Sequence, residues 1–399
     1  MPENSPIRHR HILAMFFLVH GVLAVALIWG RLGADGTLDR LQEASNDRHY
    51  QLPQTTSPLP QAYTGLYSVD RTLRTVIILF WGAIDGLSPA TTTAALYFAG
   101  QMFPIASSIF LDGLRVGNGA GMVKTALWYE LIGLLAIGCV GPMWGYMHVR
   151  SSATFAPANT LEALQGASLL ASPRKAILLL PALVVTFLGP LVVMGLPSVI
   201  YAQRAIIIWN LFPVILVPLV RGGQLLWDAL SPTPLTADLA LAKRQHQQAH
   251  LLAVRWLGTA SLLIGFATHF AIGALSVSAL LFPFMFAESY AHDLHPFRLF
   301  LPPLSIRQTT KVSDGLLGFM LWDQMFGYSA VLVVFVLQLQ RAIQCKMAWV
   351  GDPCPLRVSA LAVLGSLLCG PGTTVMGISW LRDEILYRQE CTGEGVVCE

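Results

Sequence analysis

Long apolar stretches without charged residues constrain the fold of this chain more than any other feature. Residues 11–30 contain no Asp, Glu, Lys or Arg, and residues 256–287 form a run of 32 positions without a formal charge. A helix needs about 20 predominantly apolar residues to cross the hydrocarbon core of a bilayer. Because lipid offers the backbone no hydrogen-bond partners, such stretches cross it as helices. The sequence therefore predicts an all-α fold, a polytopic helical bundle integral to a membrane.

The scarcity of charge excludes the soluble classes of protein. Only 12% of the 399 residues are charged and the mean hydropathy is +0.59, whereas soluble domains carry roughly 25% charged residues. So few charges cannot cover a soluble globule of this size, and the composition also excludes a disordered chain or a disulfide-rich secreted domain. The net charge of +3 comes without a run of Lys or Arg, so we expect no nucleic acid among the partners.

The apolar stretches predict about eight transmembrane helices, within a range of seven to nine. We expect a single membrane domain over residues 1–399, with a polar loop at 31–70 and a short polar tail at 382–399. Basic residues flank nearly every span, so the sequence leaves the orientation open. The predicted spans are residues 11–30, two helices or one broken helix within 75–111, 131–149, 176–200, 205–220, a tilted helix within 256–287 that breaks near Pro283 before a short second helix, 315–340 and 358–381.

Four carboxylic acids lie within or beside these apolar segments: Asp85, Asp112, Glu130 and Asp323. An ionisable group at membrane depth costs roughly 2.5–3.5 kcal/mol on insertion scales, so it is a functional candidate by default. A carboxyl group in an aromatic-lined pocket loses the solvation of its charged form, and it can then stay protonated and act as a general acid. Asp85 and Asp323 have no cation within four positions. Asp112 can instead pair with Arg115 at i+3, and Glu130 can lie at the membrane interface.

Tryptophans within the apolar segments admit two interpretations. Most membrane tryptophans belong to interfacial belts, but a cluster that faces a cavity can stabilise a cation by about 0.5–2 kcal/mol per ring. Spacing does not separate the two interpretations. His269, in the middle of a span, is expected to make a helix–helix hydrogen bond. The deep tryptophans are Trp81, Trp128, Trp144, Trp209 and Trp322.

Several polar motifs favour loops over chemistry. The segment G-N-G-A-G at 117–121 lacks the Lys-Ser/Thr of a phosphate-binding loop. H-D-L-H at 292–295 has no cluster of partner ligands, so we expect a polar loop and no metal site. The segment K-R-Q-H-Q-Q-A-H at 243–250 predicts a solvated face. Cys391 and Cys398 can pair if the tail faces an oxidising lumen.

Six motifs, in order along the chain, resemble a fungal family of polytopic membrane proteins. The family includes terpene cyclases of meroterpenoid pathways (macrophorin and ascofuranone types) and proteins of indole-diterpene pathways (paxilline type). Two positions depart from its pattern, which usually has Glu where this chain has Asp112 and often has Gln where it has Leu321. The motifs are F-W-G-A-I-D-G at 80–86, Y-F-A-G-Q at 97–101, L-D-G-L-R-V-G-N at 111–118, M-G-L-P-S-V-I at 194–200, W-N-L-F-P at 209–213 and M-L-W-D-Q at 320–324.

The resemblance implies a class II-like terpene cyclase of the endoplasmic reticulum membrane that needs no cofactor. Such an enzyme protonates a terminal alkene or epoxide of a prenylated polyketide, phenol or indole and so starts carbocation cyclisation. Consistent with this, the sequence has no D-D-x-x-D cluster for a diphosphate–magnesium site. The implied partners are the bilayer, a prenylated lipid-like substrate, and an upstream prenyltransferase and epoxidase.

The roles that follow from this resemblance are hypotheses. We expect the acid to be Asp323 or Asp85, with Asp112 and Glu130 as supporting or competing candidates. Arg115 and Asn210 are expected to orient the head group of the substrate. The tryptophans expected to contact the substrate are Trp81, Trp128, Trp209 and Trp322.

Two other classes of protein fit part of the sequence. Buried carboxylates and spans broken at Pro89, Pro190 and Pro213 also suit a small-molecule transporter or channel. An inverted repeat would favour a transporter, and none is visible in the sequence. The chain could also be a receptor or a non-catalytic membrane partner of a biosynthetic complex, although its short polar tail argues against a receptor.

Overall fold

The structure is a computed structural model, which describes residues 6–119, 121–155, 160–232, 238–346 and 354–388. Within these ranges the regular secondary structure is helical, and the only β-type pairings are two isolated bridges, Gln51 with Pro58 and Arg115 with Leu170. The predicted all-α fold class is therefore confirmed for the described part of the chain.

The α-helices are numbered in chain order. Short π-helical turns at Ala26–Gly30 and Val184–Leu188 continue α1 into α2 and α9 into α10. The helices are α1 (Pro6–Val25), α2 (Arg31–Ala34), α3 (Thr37–Asn46), α4 (Tyr67–Ile84), α5 (Pro89–Gly113), α6 (Met122–Leu135), α7 (Ile137–Ser151), α8 (Leu161–Ser168), α9 (Pro173–Leu183), α10 (Gly189–Met194), α11 (Val199–Asn210), α12 (Phe212–Leu230), α13 (Leu239–Leu281), α14 (Glu288–Asp293), α15 (Pro296–Phe300), α16 (Val312–Lys346), α17 (Pro355–Cys369) and α18 (Pro371–Tyr387).

Five helical segments of the described chain are long and apolar enough to cross a membrane. Helices α11 and α12, which meet at an angle of 72°, make a sixth such segment if they are counted together as one broken span. The predicted number of about eight spans is therefore not confirmed. The five segments are His11–Ala34, Pro89–Gly113, Pro173–Met194, Leu239–Leu281 and Val312–Lys346.

Two of the predicted spans are interrupted, which contributes to the smaller number. Ala136, with a φ of 75°, separates α6 from α7, and Gly370, with a φ of 95°, separates α17 from α18. The predictions of single spans at 131–149 and 358–381 are wrong, because each segment includes a break between two helices. Each limb has 17 residues or fewer, which is short for a helix that crosses the hydrocarbon core upright.

The α6–α7 and α17–α18 pairs are helical hairpins whose tips reach the middle of the long helices. At the first tip, the backbone N–H of Gly138 donates to Asp323 in α16. At the second, the backbone N–H of Gly372 donates to the side-chain oxygen of Gln101 in α5 at 3.0 Å. Gln101 in turn donates to the carbonyl oxygen of Gly265 in α13 at 2.7 Å. A single buried amide therefore joins α5, α13 and the second tip.

The close contact at the second tip gives a first prediction. A Cβ at Gly372 would lie 2.0 Å from the backbone oxygen of Gln101, and backbone cannot move aside as a flexible side chain can. We expect Gly372→Ala to cost about 1–3 kcal/mol of stability or more, measured as a lower unfolding midpoint in detergent. Gly377→Ala is the matched control in α18, because its Cβ would meet its nearest neighbour only at 3.9 Å. Equal midpoints for the two variants would contradict the close contact.

Helix α13 has 43 residues and is about 64 Å long at 1.5 Å per residue, far more than the bilayer core requires. It ends at Leu281, so the predicted break near Pro283 is confirmed, although a 3₁₀ turn at Pro283–Met285 follows in place of the predicted short second helix. Its first turns include residues 243–250, where Lys243 is exposed as predicted. The prediction is wrong for His250, which is fully buried because it packs against Tyr387 at a ring distance of 4.4 Å.

The segment at 31–70, predicted as a polar loop, packs back onto the bundle. It includes α3, which lies against α4 in a separate apolar cluster. Arg74 of α4 is buried and donates to backbone carbonyl oxygens of the segment, among them those of Ser45 and Leu59 at 3.1 Å each. These bonds hold the segment over one side of an apolar cavity.

Candidate functional site

The apolar cavity, of about 310 Å³, lies between α3, α4, α6, α11 and α16. Its walls are aliphatic and aromatic, with few polar groups. Asp323 is the only carboxylic acid among its described lining residues, and no Lys, Arg or His lines it. The aromatic residues of its wall are Trp29, Phe80, Phe98, Tyr129, Phe187, Trp209, Phe212 and Phe319.

Asp323 is buried, with 3% of its surface exposed. Its Oδ1 accepts the backbone N–H of Gly138 at 2.5 Å, at the start of α7, where backbone donors have no partner within the helix. Among the described residues, no cation pairs with Asp323 and no donor bonds its second oxygen. The carboxyl group is therefore fixed in orientation by one bond and otherwise has an apolar environment.

The aromatic rings of the wall pack against one another in edge-to-face or tilted contacts. Phe187 contacts Phe212 at a centroid distance of 5.1 Å and Trp209 at 5.5 Å, and Tyr129 contacts Phe212 at 5.6 Å. Such packing fixes the rings. Ring faces exposed to a cavity can attract a positive charge more strongly when water is absent.

The predicted substrate-contacting tryptophans fall into three places. Trp209 lines the apolar cavity together with Asn210, whose amide donates to the carbonyl oxygen of Ile206 in its own helix at 2.8 Å. The indole N–H groups of Trp81 and Trp322 instead donate to the carbonyl oxygens of Pro53 and Pro303, and neither ring lines the cavity. Trp128 lies in a second, polar pocket.

Two of the other acid candidates lie outside the apolar cavity. Asp85 follows the last residue of α4, where its carboxylate accepts the backbone N–H of Leu87 at 2.9 Å. Partial burial raises the pKa of the Asp85 carboxyl, although the N–H of Leu87 and the charge of Lys311 act in the opposite direction. Glu130 is half-buried in α6, and its Oε1 has no hydrogen-bond partner among the described residues.

Asp112 belongs to a buried network of charges instead. Its carboxylate lies 3.0 Å from Arg115 Nε, 3.0 Å from His148 Nε2 and 3.5 Å from Arg382 Nη1. Arg115 also pairs with Asp383 at 2.8 Å. The alternative of an ion pair between Asp112 and Arg115 is therefore confirmed. The network joins α5, α7 and α18, and its two aspartates balance its two arginines.

The network borders a polar pocket of about 230 Å³. Asp112, Trp128, Trp144 and His148 line this pocket, and the rings of Trp144 and His148 stack at 4.9 Å. The structure thus brings six of the predicted site residues to two places and leaves Asp85, Glu130, Trp81 and Trp322 outside both. Asp323, Trp209 and Asn210 share the apolar cavity, whereas Asp112, Arg115 and Trp128 lie at or beside the polar pocket.

The remaining sequence predictions concern structural residues. His269 bonds the carbonyl oxygen of Leu367 at 3.2 Å and the hydroxyl of Tyr97 at 3.0 Å, which confirms the predicted helix–helix hydrogen bond. The described residues hold no group of three or more His, Cys, Asp and Glu side chains that could bind a metal ion. Cys391 and Cys398 lie outside the described residues.

Comparison with known proteins identifies relatives over most of the chain. The CtvD domain family matches residues 10–387. The terpene cyclase ascI of Acremonium egyptiacum is 22% identical over 82% of this chain and 80% of its own length. The terpene cyclase penA of Penicillium crustosum is 24% identical over 88% of this chain and 86% of its own length. The terpene cyclase ctvD of Aspergillus terreus is 26% identical over 50% of this chain and 57% of its own length. No solved structure matches the chain.

Proposed function

Since the chain belongs to the CtvD domain family, we propose that it is a membrane-bound, acid-initiated terpene cyclase of fungal secondary metabolism. Three relatives named terpene cyclases support this role, and the family membership confirms the resemblance that the six motifs indicate. The proposed substrate is a prenylated polyketide, phenol or indole, supplied in the endoplasmic reticulum membrane by a prenyltransferase and, for an epoxide substrate, an epoxidase.

One observation carries the mechanism: a buried carboxyl group, free of any paired cation in the described structure, lines an aromatic cavity. In such surroundings the charged form of Asp323 lacks stabilisation, so the neutral acid is available to donate its proton. Asp112 is a poorer acid candidate, because two arginines and His148 stabilise its carboxylate.

In the proposed reaction, the carboxyl proton of Asp323 adds to the terminal alkene carbon or to the epoxide oxygen. The alkene π electrons form the new C–H bond, or the epoxide C–O bond breaks and leaves a hydroxyl group, and either route gives a tertiary cation. The electrons of the next double bond then form a C–C bond to that cation. The last cation loses a proton, so the product is an isomer of the substrate and the acid is restored overall.

The cavity supports each requirement of such a cascade. Its apolar walls exclude water, which would otherwise capture the cation. The packed rings of Phe187, Trp209 and Phe212 present surfaces that favour positive charge. A prenyl chain held folded inside brings its double bonds together and so lowers the entropic barrier to ring closure.

The mouth of the cavity offers a second prediction. Gly133 and Leu134 are exposed residues of its lining, next to the exposed leucines Leu131 and Leu135 of α6, so the mouth opens on an apolar surface suited to a lipid-like substrate. A side chain at Gly133 has room, since its Cβ would meet its nearest atom at 3.9 Å. We expect Gly133→Phe to fold normally and to lower cyclisation roughly tenfold or more by obstructing the mouth.

The control for this variant is Gly166→Phe in α8, where a Cβ has no neighbour within 4 Å. It adds the same ring away from the cavity and should keep wild-type turnover. Both variants are assayed as membranes with one prenylated phenol. Unchanged turnover in Gly133→Phe would place the entrance elsewhere.

The proposed function is tested by expression in a host that lacks terpene pathways. Prenylated phenols and indoles are supplied with and without a terminal epoxide, and the products are analysed by mass spectrometry and NMR. We expect a cyclised isomer of at least one substrate. Correct insertion without a cyclised product from any of them would contradict a cyclase and would favour a transporter or a non-catalytic partner.

A further inference from the structure

Two hydrogen-bond donors of the apolar cavity have no partner among the described residues: the hydroxyl of Tyr129 and the indole N–H of Trp209. Both side chains line the cavity, and both polar atoms are buried. Buried polar groups in folded proteins are nearly always bonded, because a buried donor without a partner forfeits its bond to water. Two such donors in the wall of one cavity therefore need an explanation.

The packing of the two rings keeps their donors in place. Tyr129 is only 2% exposed and meets the edge of Phe212, while Trp209 packs against Phe187. Phe187 and Phe212 contact each other at 5.1 Å. The two donor residues therefore each pack against one ring of the same phenylalanine pair. Tyr129 belongs to α6 and Trp209 to α11, whereas the acid Asp323 belongs to α16.

We propose that Tyr129 and Trp209 are positioning residues that donate hydrogen bonds to an oxygen atom on the head group of the bound substrate. This inference rests on the proposed function and narrows its substrate class. An oxygen of a phenol or ketone ring can accept from both groups, whereas an indole head group offers only an N–H donor. The Tyr129 hydroxyl could accept that N–H, but the indole N–H of Trp209, which only donates, would still lack an acceptor. The oxygen-bearing head group then lies between α6 and α11, and the prenyl chain extends toward Asp323.

The test compares two probes that differ by one oxygen: a farnesylated phenol and the corresponding farnesylbenzene, neither of them an epoxide. The dissociation constants of both are measured on the full chain in nanodiscs. We expect the wild type to bind the phenol about tenfold more tightly, the typical effect of a hydrogen bond in an apolar site. Because the wild type and each variant are measured in the same bilayer, the partition of the probes into lipid cancels when their dissociation constants are compared.

Tyr129→Phe removes one donor and leaves the ring. We expect the preference for the phenol to fall to about threefold or less, and to vanish when Trp209→Phe is added. Tyr201→Phe is the matched control, because Tyr201 lies on α11 with 57% of its surface exposed and outside the cavity. The unfolding midpoint of Tyr129→Phe should equal or exceed that of the wild type, since the variant loses a buried hydroxyl without a partner.

An unchanged preference in both Tyr129→Phe and the double variant would overturn the inference and leave the two groups as structural or water-bonded donors. This result is distinguishable from failure of the proposed function. A wild type that prefers the phenol but forms no cyclised product contradicts only the cyclase. A wild type that cyclises the phenol, with a preference that survives both substitutions, contradicts only the role of the two donors.

Discussion

Asp323→Asn is expected to abolish cyclisation while the protein stays folded. The amide oxygen of Asn can still accept the N–H of Gly138, so the bond that holds the tip of the α6–α7 hairpin survives. The amide cannot donate a proton to an alkene or epoxide. Because general acid catalysis contributes about 10²–10⁴-fold to rates, turnover should fall by at least about 100-fold, measured as product formed per amount of inserted protein.

Two variants serve as controls for this prediction. Asp85→Asn removes the acid at the end of α4, outside the cavity, and should keep wild-type turnover. Asp323→Glu retains an acid but displaces it by one methylene, and an intermediate rate is expected. Wild-type turnover in Asp323→Asn would move the acid to another carboxyl group, and loss of activity in Asp85→Asn would make that group the first candidate.

Asp383→Asn is expected to destabilise the protein strongly, because it breaks the buried charge network. Asp383 and Arg115 are both fully buried and lie 2.8 Å apart, and Arg382 lies 3.2 Å from Asp383. Removing one partner of a buried pair leaves an uncompensated charge, which costs about 3–5 kcal/mol. The free energy of unfolding, measured by denaturant titration in mixed micelles, should fall by this amount.

The matched control is Glu162→Gln. Glu162 also pairs with a cation, Lys243, but both side chains are exposed and 3.7 Å apart, and such surface pairs contribute about 0–1 kcal/mol. If the two variants lose the same free energy, the buried charges do not hold α5 and α18 together.

The long helices could be predicted from the sequence, because a charge-free run longer than the bilayer core has few other ways to fold. The hairpins could not be predicted equally well. Gly370 precedes a proline, a signal for a break that the prediction of a single span at 358–381 did not use. Ala136 carries no such signal, because alanine is an ordinary helix former, yet it has a positive φ. Asp323 lies close to this break, since it bonds the N–H of Gly138 two residues later.

The candidate site could likewise be predicted from the sequence only in part. Asp323 could be singled out because carboxylates are rare in the apolar segments, and Asp112 could be matched with Arg115 from their spacing. Their further partners depend on tertiary packing, as with Asp383, which lies 268 residues from Arg115. The sequence does not indicate that Tyr129 and Phe187 line the cavity. An aromatic residue in an apolar helix has the same sequence pattern whether it faces the core, the lipid or a cavity.

Binding of the prenylated substrate in the apolar cavity beside Asp323 underlies every step of the proposed reaction. Photo-crosslinking can locate the substrate, with a farnesylated phenol that carries a diazirine on its terminal isoprene unit and with peptide mapping of the adducts. We predict adducts on cavity residues of α16, such as Phe319 and Met320, that compete with unlabelled farnesylated phenol and persist in Asp323→Asn. Adducts confined to the polar pocket of Trp144 and His148, or adducts that the competitor does not reduce, would contradict binding in the apolar cavity.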